Sequence, residues 1–389
     1  MNIFFSTYEA KQIGGSYLRS FSLAKSLARR GHQVTLITSA KKPSMVPRFH
    51  SLDHVKVVES IGLMPRRFRH GGYDIFDMIF RSVYLLLQDK DILHSFNHRP
   101  ASSISAWLVS KTNHVEWWTD WADLWGKGGI ADRRYGFLRW LTSSLDTHLE
   151  KWVITHCPNI TAISHYLIKK SRFWRQGSKN IYFLPVGADT DLIKPLPKLE
   201  ARQQLKLNRN DFLGCFLYVG TYDADFLSQI LLQVHLHHVS FKLMMLGPFL
   251  DDFYCQLPAR PHPIYDRIVH PGVVSRTNLS AWLSAADVAL LPYRNLEINR
   301  GRYPNKLGDY LAAGKPIVAN PTGEVKRLLA KYDIGWTASE SPRKFAQLLE
   351  TVGKDKRQIN SKSKNALKLA GLMSWMNVAS SLERLYQSR

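Results

Sequence analysis

Cysteine is scarce, at three in 389 residues, and the three are isolated. Cys157, Cys215 and Cys255 form no CxxC pair, so neither a zinc site nor a disulfide framework is indicated and a reducing cytosol is the expectation. Long apolar runs are missing as well. No stretch approaches the ~18 residues that a spanning helix needs. The opening MNIFFSTYEA has no basic segment ahead of an apolar one, so no signal peptide is expected. The expected location is therefore cytoplasmic, soluble or peripheral on the inner face of a membrane. Acidic residues are few: 31 Asp+Glu against 53 Lys+Arg give a net charge of +22. Before residue 195 the balance is 27 against 15, so the excess is no basic tail but runs through both halves. Such a field favours phosphorylated substrates, acidic lipid or nucleic acid. No zinc-finger or RNP-like motif accompanies the charge, which argues against nucleic acid. The dinucleotide fingerprint GxGxxG is absent too, and no cluster of metal-ligating residues stands out, so no metal is expected.

What is present is a core-forming composition, 45% hydrophobic and 22% charged, at a length suited to about two domains. Short apolar runs alternate with segments of helical periodicity. Asn2–Phe5 reads as a strand, Gly14–Gly15 as a glycine turn, and Leu18, Phe21, Ala24, Leu27 and Ala28 as one helix face before the strand Val34–Thr38. Paired glycines allow backbone N–H groups close to a phosphate, although a plain turn has the same signature. Val55–Val58 reads as a strand, 64–72 as a basic loop, 75–87 as an apolar helix and 91–96 as a strand ending near His94, Asn97 and His98. The run HVEWWTDWADLWGKGG places Asp120, Trp121 and Asp123 at the carboxyl end of a strand, where ligands collect in open α/β sheets. The tryptophans as core and the aspartates as turn caps are the alternative. Residues 133–156 read as one long basic, aromatic helix, suited either to an anionic membrane or to a core with a solvated face. Three prolines in 185–198 mark a boundary. Beyond it a second strand–helix series runs through 215–220, 226–234, 241–247, 279–285 and 288–292, which implies two parallel, doubly wound sheets.

Within that second series lies YPNKLGDYLAAGKPIVANPTGE, residues 303–324. Pro304 suits a first helical position. Leu307, Tyr310 and Leu311 form one apolar face, Gly314 suits the helix end, and Ile317–Ala319 a buried strand. A helix N-terminus carrying Lys306, with Arg300 and Arg302 nearby, is an anion site in form. An ordinary helix–strand unit with a solvated basic loop fits the same residues.

Several motifs together resemble the retaining glycosyltransferases of family 4. PVGADTDLIKP is similar to their interdomain linker, FLYVG to the strand opening their C-terminal domain, and AADVALLPY to a later strand. NKLGDYLAAGKPIVA resembles half of their signature, MSWMNVASSLERLY their closing helix, and Gly14–Gly15 with AKSLARRGHQVTLIT their opening unit. The resemblance implies a GT-B fold: two Rossmann-like domains facing a cleft, here 1–190 with the closing helix 374–389, and 191–373. It implies sugar transfer from a nucleotide-sugar to a glycan or lipid-linked acceptor in cell-surface polysaccharide or glycolipid synthesis, without cofactor or metal. Donor contacts would come from Gly14, Gly15, Gly220, Arg300, Arg302, Tyr303, Asn305, Lys306, Leu307 and Asp309. Of these, Asp309 falls on the ribose-binding glutamate of the signature and Lys306 lies near the diphosphate. The first glutamate of that signature falls on Gly301. Asp120 and Lys306 would be catalytic, and His94, Asn97, Trp121 and Asp123 would face the acceptor. Basic aromatic runs at 64–72, 133–140 and 169–179 suggest an anionic membrane as a further partner. A catalytically degenerate nucleotide-sugar-binding protein and a sugar-nucleotide epimerase of the same fold are the competing readings.

Overall fold

A computed structural model describes residues 1–389 except 11–13, 134–138, 178–179, 219–222 and 389, and gives only the backbone of residues 139 and 141. The chain divides into two compact units. The first comprises Met1–Val186, Arg300–Tyr303 and Trp375–Arg389, and the second Gly187–Asn299 and Pro304–Ser374.

In the first unit the strands are β1 (Asn2–Ala10), β2 (Gln33–Ser39), β3 (Arg48–Leu52), β4 (Val55–Glu59), β5 (Ile92–Phe96), β6 (Glu116–Trp121), β7 (Asn159–Ala162) and β8 (Ile181–Phe183). They form one sheet in the order β3-β4-β2-β1-β5-β6-β7-β8. Every pairing is parallel except β3 with β4. Near-continuous apolar strands such as Ile3–Phe5 and Leu36–Ile37 suit a sheet covered on both faces. The β3–β4 hairpin departs from the expected parallel series. Its turn residues Asp53 and His54 have φ of 51° and 66°, so two non-glycine residues make a turn that usually advertises itself by Asn-Gly or Asp-Gly.

Helices α1 (Gly15–Arg29), α2 (Arg66–His70), α3 (Ile75–Leu86), α4 (Pro100–Thr112), α5 (Arg139–His156) and α6 (His165–Trp174) connect these strands. Part of the basic segment 64–72, expected as a loop, is α2. The helix expected from 133 begins at Arg139 in its described part, after a 3₁₀ turn at Ala131–Arg133. The final helix, Trp375–Gln387, packs on α1: Glu383 takes Arg30 and His32, and the Tyr386 hydroxyl meets His94 Nδ1 at 2.6 Å.

The second unit holds β9 (Leu213–Leu217), β10 (Lys242–Leu246), β11 (Ile268–Gly272), β12 (Val288–Leu291), β13 (Ile317–Ala319) and β14 (Gly335–Thr337), ordered β11-β10-β9-β12-β13-β14 and wholly parallel. Its core gathers Phe216, Leu227, Ile230, Phe241, Met245 and Phe345, all buried. Both sheets reverse direction once, between β1 and β5 in the first unit and between β9 and β12 in the second. Ligands of open α/β sheets sit outside the carboxyl ends of strands at such reversals.

Candidate active site

In the second unit the reversal is bordered by the end of β12 and by the helix Asn305–Ala312. Pro304 stands just before this helix rather than within it, and its φ of −65° starts the turn. Leu307, Tyr310 and Leu311 are buried as one face, and Gly314 closes the helix end at a φ of +65°. Lys306, in the first turn, holds its Nζ 4.6 Å from the Phe216 ring centre and 5.8 Å from that of Tyr293. This aromatic seat fixes the ammonium beside the ends of β9 and β12. Asp309, one turn on, is 6% exposed. Burial pushes its carboxyl up to about 6, against the pull of Arg276. Arg276 Nη1 donates to Asp309 Oδ2 at 3.2 Å, and its Nη2 donates to Asp189 Oδ2 at 3.0 Å.

Arg276 and Asp189 escaped sequence reasoning. A lone arginine after β11 has no periodic or motif signal, and its distance in sequence from Asp309 hides the pair. Both carboxylates of residues 223–225 are held by partners within the second unit. Arg294 donates to Asp223 at 3.1 Å and to Asp225 at 2.8 Å, and Asn299 Nδ2 donates to Asp223 at 2.9 Å. Gly220, expected to line the donor site, lies outside the described residues.

The segment Arg300–Tyr303 belongs to the first unit, whereas Asn305, Lys306, Leu307 and Asp309 belong to the second. The expected single cluster of Arg300, Arg302 and Tyr303 with Lys306 is therefore not found within either unit. Arg300 is exposed and Tyr303 buried. Gly301 is docked on α6, its carbonyl accepting from Ser164 Oγ at 2.8 Å. Arg302 lies close enough to Asp123 for its charge to lower that carboxyl, which burial raises more strongly.

Around the first unit's reversal, β1 runs on past the expected Phe5 and brings Glu9 to its carboxyl end. Glu9 Oε2 accepts the Tyr17 N–H at 2.7 Å, and Oε1 accepts the Tyr8 hydroxyl at 3.1 Å. Gly14 has a φ of +83°, and a side chain there would meet the Glu9 carboxylate within 2.1 Å. The glycine pair thus admits a carboxylate to the start of α1, where an incoming phosphate was expected; Gly15 is the first residue of that helix. Burial, aided by the charge of Asp123, pushes Glu9 up to about 7. Asn97, at a φ of 60°, follows β5. Its side-chain amide donates to Ser16 Oγ and, at 3.3 Å, to Asp123 Oδ2. Glu9, Asn97 and Asp123 therefore share one end of the sheet, half-buried or lined by half-buried neighbours.

The other expected acceptor-side and catalytic residues lie below this rim, inside the core. Asp120 is fully buried and held bidentately by Arg19, with Nε to Oδ1 and Nη2 to Oδ2 both at 2.8 Å. Thr161 adds a hydroxyl at 2.7 Å. Burial raises the Asp120 pKa, but Arg19 outweighs it and holds the carboxyl below its ordinary range. With both oxygens occupied and no exposed surface, Asp120 is a strut between β6 and α1, not a group that touches substrate. Its expected catalytic role is corrected accordingly. His94 is likewise enclosed, between Tyr386 and Thr161, and burial lowers its pKa to about 3, so it stays neutral. Trp121 stacks on Trp174 with centres 5.3 Å apart and donates to Glu150 Oε1 at 2.8 Å. Neither reaches the surface. Among the described residues no group of three or more His, Cys, Asp or Glu is arranged to hold a metal ion.

Comparison with known proteins bears on these two sheet ends. Residues 13–192 match the family model Glycosyltransferase Family 4, and residues 212–355 match Glycosyl transferases group 1. A Bacillus subtilis (strain 168) protein named for a glycosyltransferase of teichuronic acid biosynthesis, TuaH, is 21% identical over 239 residues, or 60% of this chain. The chain spans 57% of that relative's length. Among solved structures, sucrose-phosphate synthase from Thermosynechococcus elongatus superposes at a TM-score of 0.80 with 16% identity, covering 100% of this chain and 99% of its own. HepE of Anabaena, solved with UDP and glucose, superposes at 0.72 with 14% identity and full coverage of both chains. At these identities the likeness concerns the fold.

Proposed function

Since the chain belongs to the GT-B glycosyltransferases, its first part to Glycosyltransferase Family 4 and its second to the Glycosyl transferases group 1, we propose that it moves a sugar from a nucleotide-sugar to a glycan or lipid-linked acceptor, with retention at the anomeric carbon. The product would serve cell-surface polysaccharide or glycolipid synthesis. The observation that carries this reading is the placement of Lys306 and Asp309 on the first turns of the helix Asn305–Ala312, beside the reversal between β9 and β12. Lys306, at the positive end of that helix, suits a diphosphate, and Asp309 suits a ribose diol, since one carboxylate accepts two hydrogen bonds. The HepE structure with UDP and glucose makes a uridine nucleotide the first donor to test.

In the proposed reaction the bond between the anomeric carbon and the phosphate oxygen breaks. The acceptor oxygen bonds to that carbon on the same face, and the acceptor proton passes to the departing phosphate. Such a step needs stabilisation of a leaving anion more than a protein nucleophile. Glu9, Asn97 and Asp123, at one end of the first sheet, suit the hydroxyls of the acceptor. A carboxyl titrating near neutrality, as Glu9 does, can exchange a proton there.

The test is turnover of a nucleotide-sugar panel by Lys306→Ala. Removing one preorganised charge from a leaving group costs about 100-fold or more in rate. Wild-type turnover in the variant would sink the assignment, and a product of inverted configuration by proton NMR would sink retention. A second reading, a nucleotide-sugar binder without transferase activity, is favoured by Gly301 standing where the signature has glutamate. Calorimetry with UDP-, GDP- and ADP-sugars separates the two: tight binding with neither hydrolysis nor transfer selects the binder.

A further inference from the structure

Helix α3 is built inside out. Its two charged residues, Asp77 and Arg81, are 0% exposed, whereas Ile75, Phe76, Ile79 and Val83, with Leu87 just beyond the helix, are between 44% and 76% exposed. The inversion has a local cause. Arg81 and Asp77, one turn apart, pair with each other, and Arg81 also donates to Ser6 Oγ, Thr7 O and Ser39 Oγ at 2.9–3.0 Å. This buried network holds the polar stripe against β1 and β2, and Asp74 caps the helix start. The apolar stripe has no choice but to face outward. A soluble surface rarely carries such a contiguous apolar area without something to cover it.

The surroundings of α3 are apolar and cationic together. Phe49 on β3 lies 6.0 Å from Tyr84 of α3, ring centre to ring centre, and is itself exposed, as are Met45 and Val46 in the preceding loop and Phe68 on α2. Interleaved with these are the exposed Lys41, Lys42, Arg48, Arg66 and Arg67. Asp74 and Asp77, the carboxylates of residues 60–88, are both buried. A cavity of about 440 Å³, lined by Lys41, Lys42, Ser44, Val46, Arg48 and Glu59, opens in the same region. It sits past the carboxyl ends of β2 and β4, the end of the sheet that also carries Glu9 and Asn97. Apolar side chains flanked by cations, next to a basic cavity of this size, match an acyl layer topped by anionic headgroups.

We propose that α3, with the 41–49 segment and α2, docks on an anionic lipid bilayer, the apolar side chains entering the acyl boundary and the Lys41–Lys42–Arg48 cavity taking a lipid phosphate. This surface is distinct from the basic runs at 133–140 and 169–179, and the inference does not depend on the donor chemistry. The basic aromatic segment 64–72 is part of it through α2. Docking here would bring the acceptor end of the first sheet to a membrane, which fits a lipid-linked acceptor.

Co-sedimentation of the full chain with vesicles tests the proposal without any nucleotide-sugar, so its failure and the failure of the transferase reading are separable. The wild-type protein is expected to sediment with phosphatidylglycerol-containing vesicles and not with phosphatidylcholine vesicles. Ile79→Ser, at an exposed position, should weaken partitioning roughly tenfold through lost apolar burial. Lys41→Ala with Lys42→Ala should weaken it by about tenfold or more through lost charge. Both variants should keep the wild-type melting temperature. Equal binding to both vesicle types, or vesicle binding that neither variant weakens, overturns the proposal. So does a dimer in sedimentation velocity that Ile79→Ser dissociates, since a second copy would then be the partner of this face.

Discussion

Replacing Asp120 by asparagine separates a strut from a catalytic group. The carboxylate faces the Arg19 guanidinium through two 2.8 Å contacts, and Arg19 in turn donates to the carbonyls of Leu184 and Pro185. Asparagine keeps the shape but turns an NH₂ group toward the guanidinium, donor against donor, and strands a buried positive charge. Breaking one side of a buried ion pair costs about 3–5 kcal/mol. For a unit of this size each kcal/mol is worth about 2–4 °C, so the melting midpoint should fall by roughly 6–20 °C. The double variant Arg19→Leu with Asp120→Leu removes both charges and should recover much of the loss. Because Arg19 holds the Asp120 carboxyl below its ordinary 3.8, the stability it contributes is present across neutral pH and is lost only as pH falls through the lowered value. Differential scanning fluorimetry across pH reads all of this. The reasoning is refuted if Asp120→Asn melts like the wild type yet loses turnover by about 100-fold, the signature of a group acting on substrate.

Two further outcomes follow from the geometry. Glu9 is raised from 4.5 to about 7 in the folded chain, so between those values the folded state holds a proton that the unfolded chain has released. Stability should therefore fall as pH rises from about 4.5 to about 7, and Glu9→Gln should flatten that slope in a melting series; an unchanged slope would show that Glu9 is not its source. At Gly308 a Cβ would stand 2.4 Å from the carbonyl oxygen of Gly187. Gly308→Ala should cost about 1–3 kcal/mol in urea unfolding, since backbone must move to admit the methyl group, and a neutral result would contradict the packing described.

The alternation of strands and helices was legible because a sheet covered on both faces leaves short continuous apolar runs for its strands, set off from the 3.6-residue period of the helices between them. The glycosyltransferase motifs, in order along the chain, made the architecture legible as well. The misses share a physical cause, which is partnership over long sequence distance or through polar groups turned inward. Asp120 reads like any aspartate at a strand end until Arg19, 101 residues away, is seen to close on it. For α3, periodicity reveals an apolar stripe but not the side it faces. Only the Asp77–Arg81 network, seated on Ser6 and Ser39, decides that. Glu9 was overlooked because β1 continues through polar residues, where hydrophobicity gives no sign of a strand. The β3–β4 hairpin escaped because Asp53 and His54 take a left-handed turn without glycine.

The membership of Trp375–Gln387 in the first unit has a bearing on how the chain acquires its structure during synthesis. Ribosomes deliver the chain from its N-terminus, and domains generally fold as they emerge. Arg30, His32 and His94 each have a partner in Glu383 or Tyr386, which are made after every residue of the second unit. The second unit can therefore finish folding first, while the first unit waits with one side of α1 and the His94 imidazole uncovered. Emergence of Trp375–Gln387, rather than completion of the N-terminal sheet, would then close this side of the first unit's core.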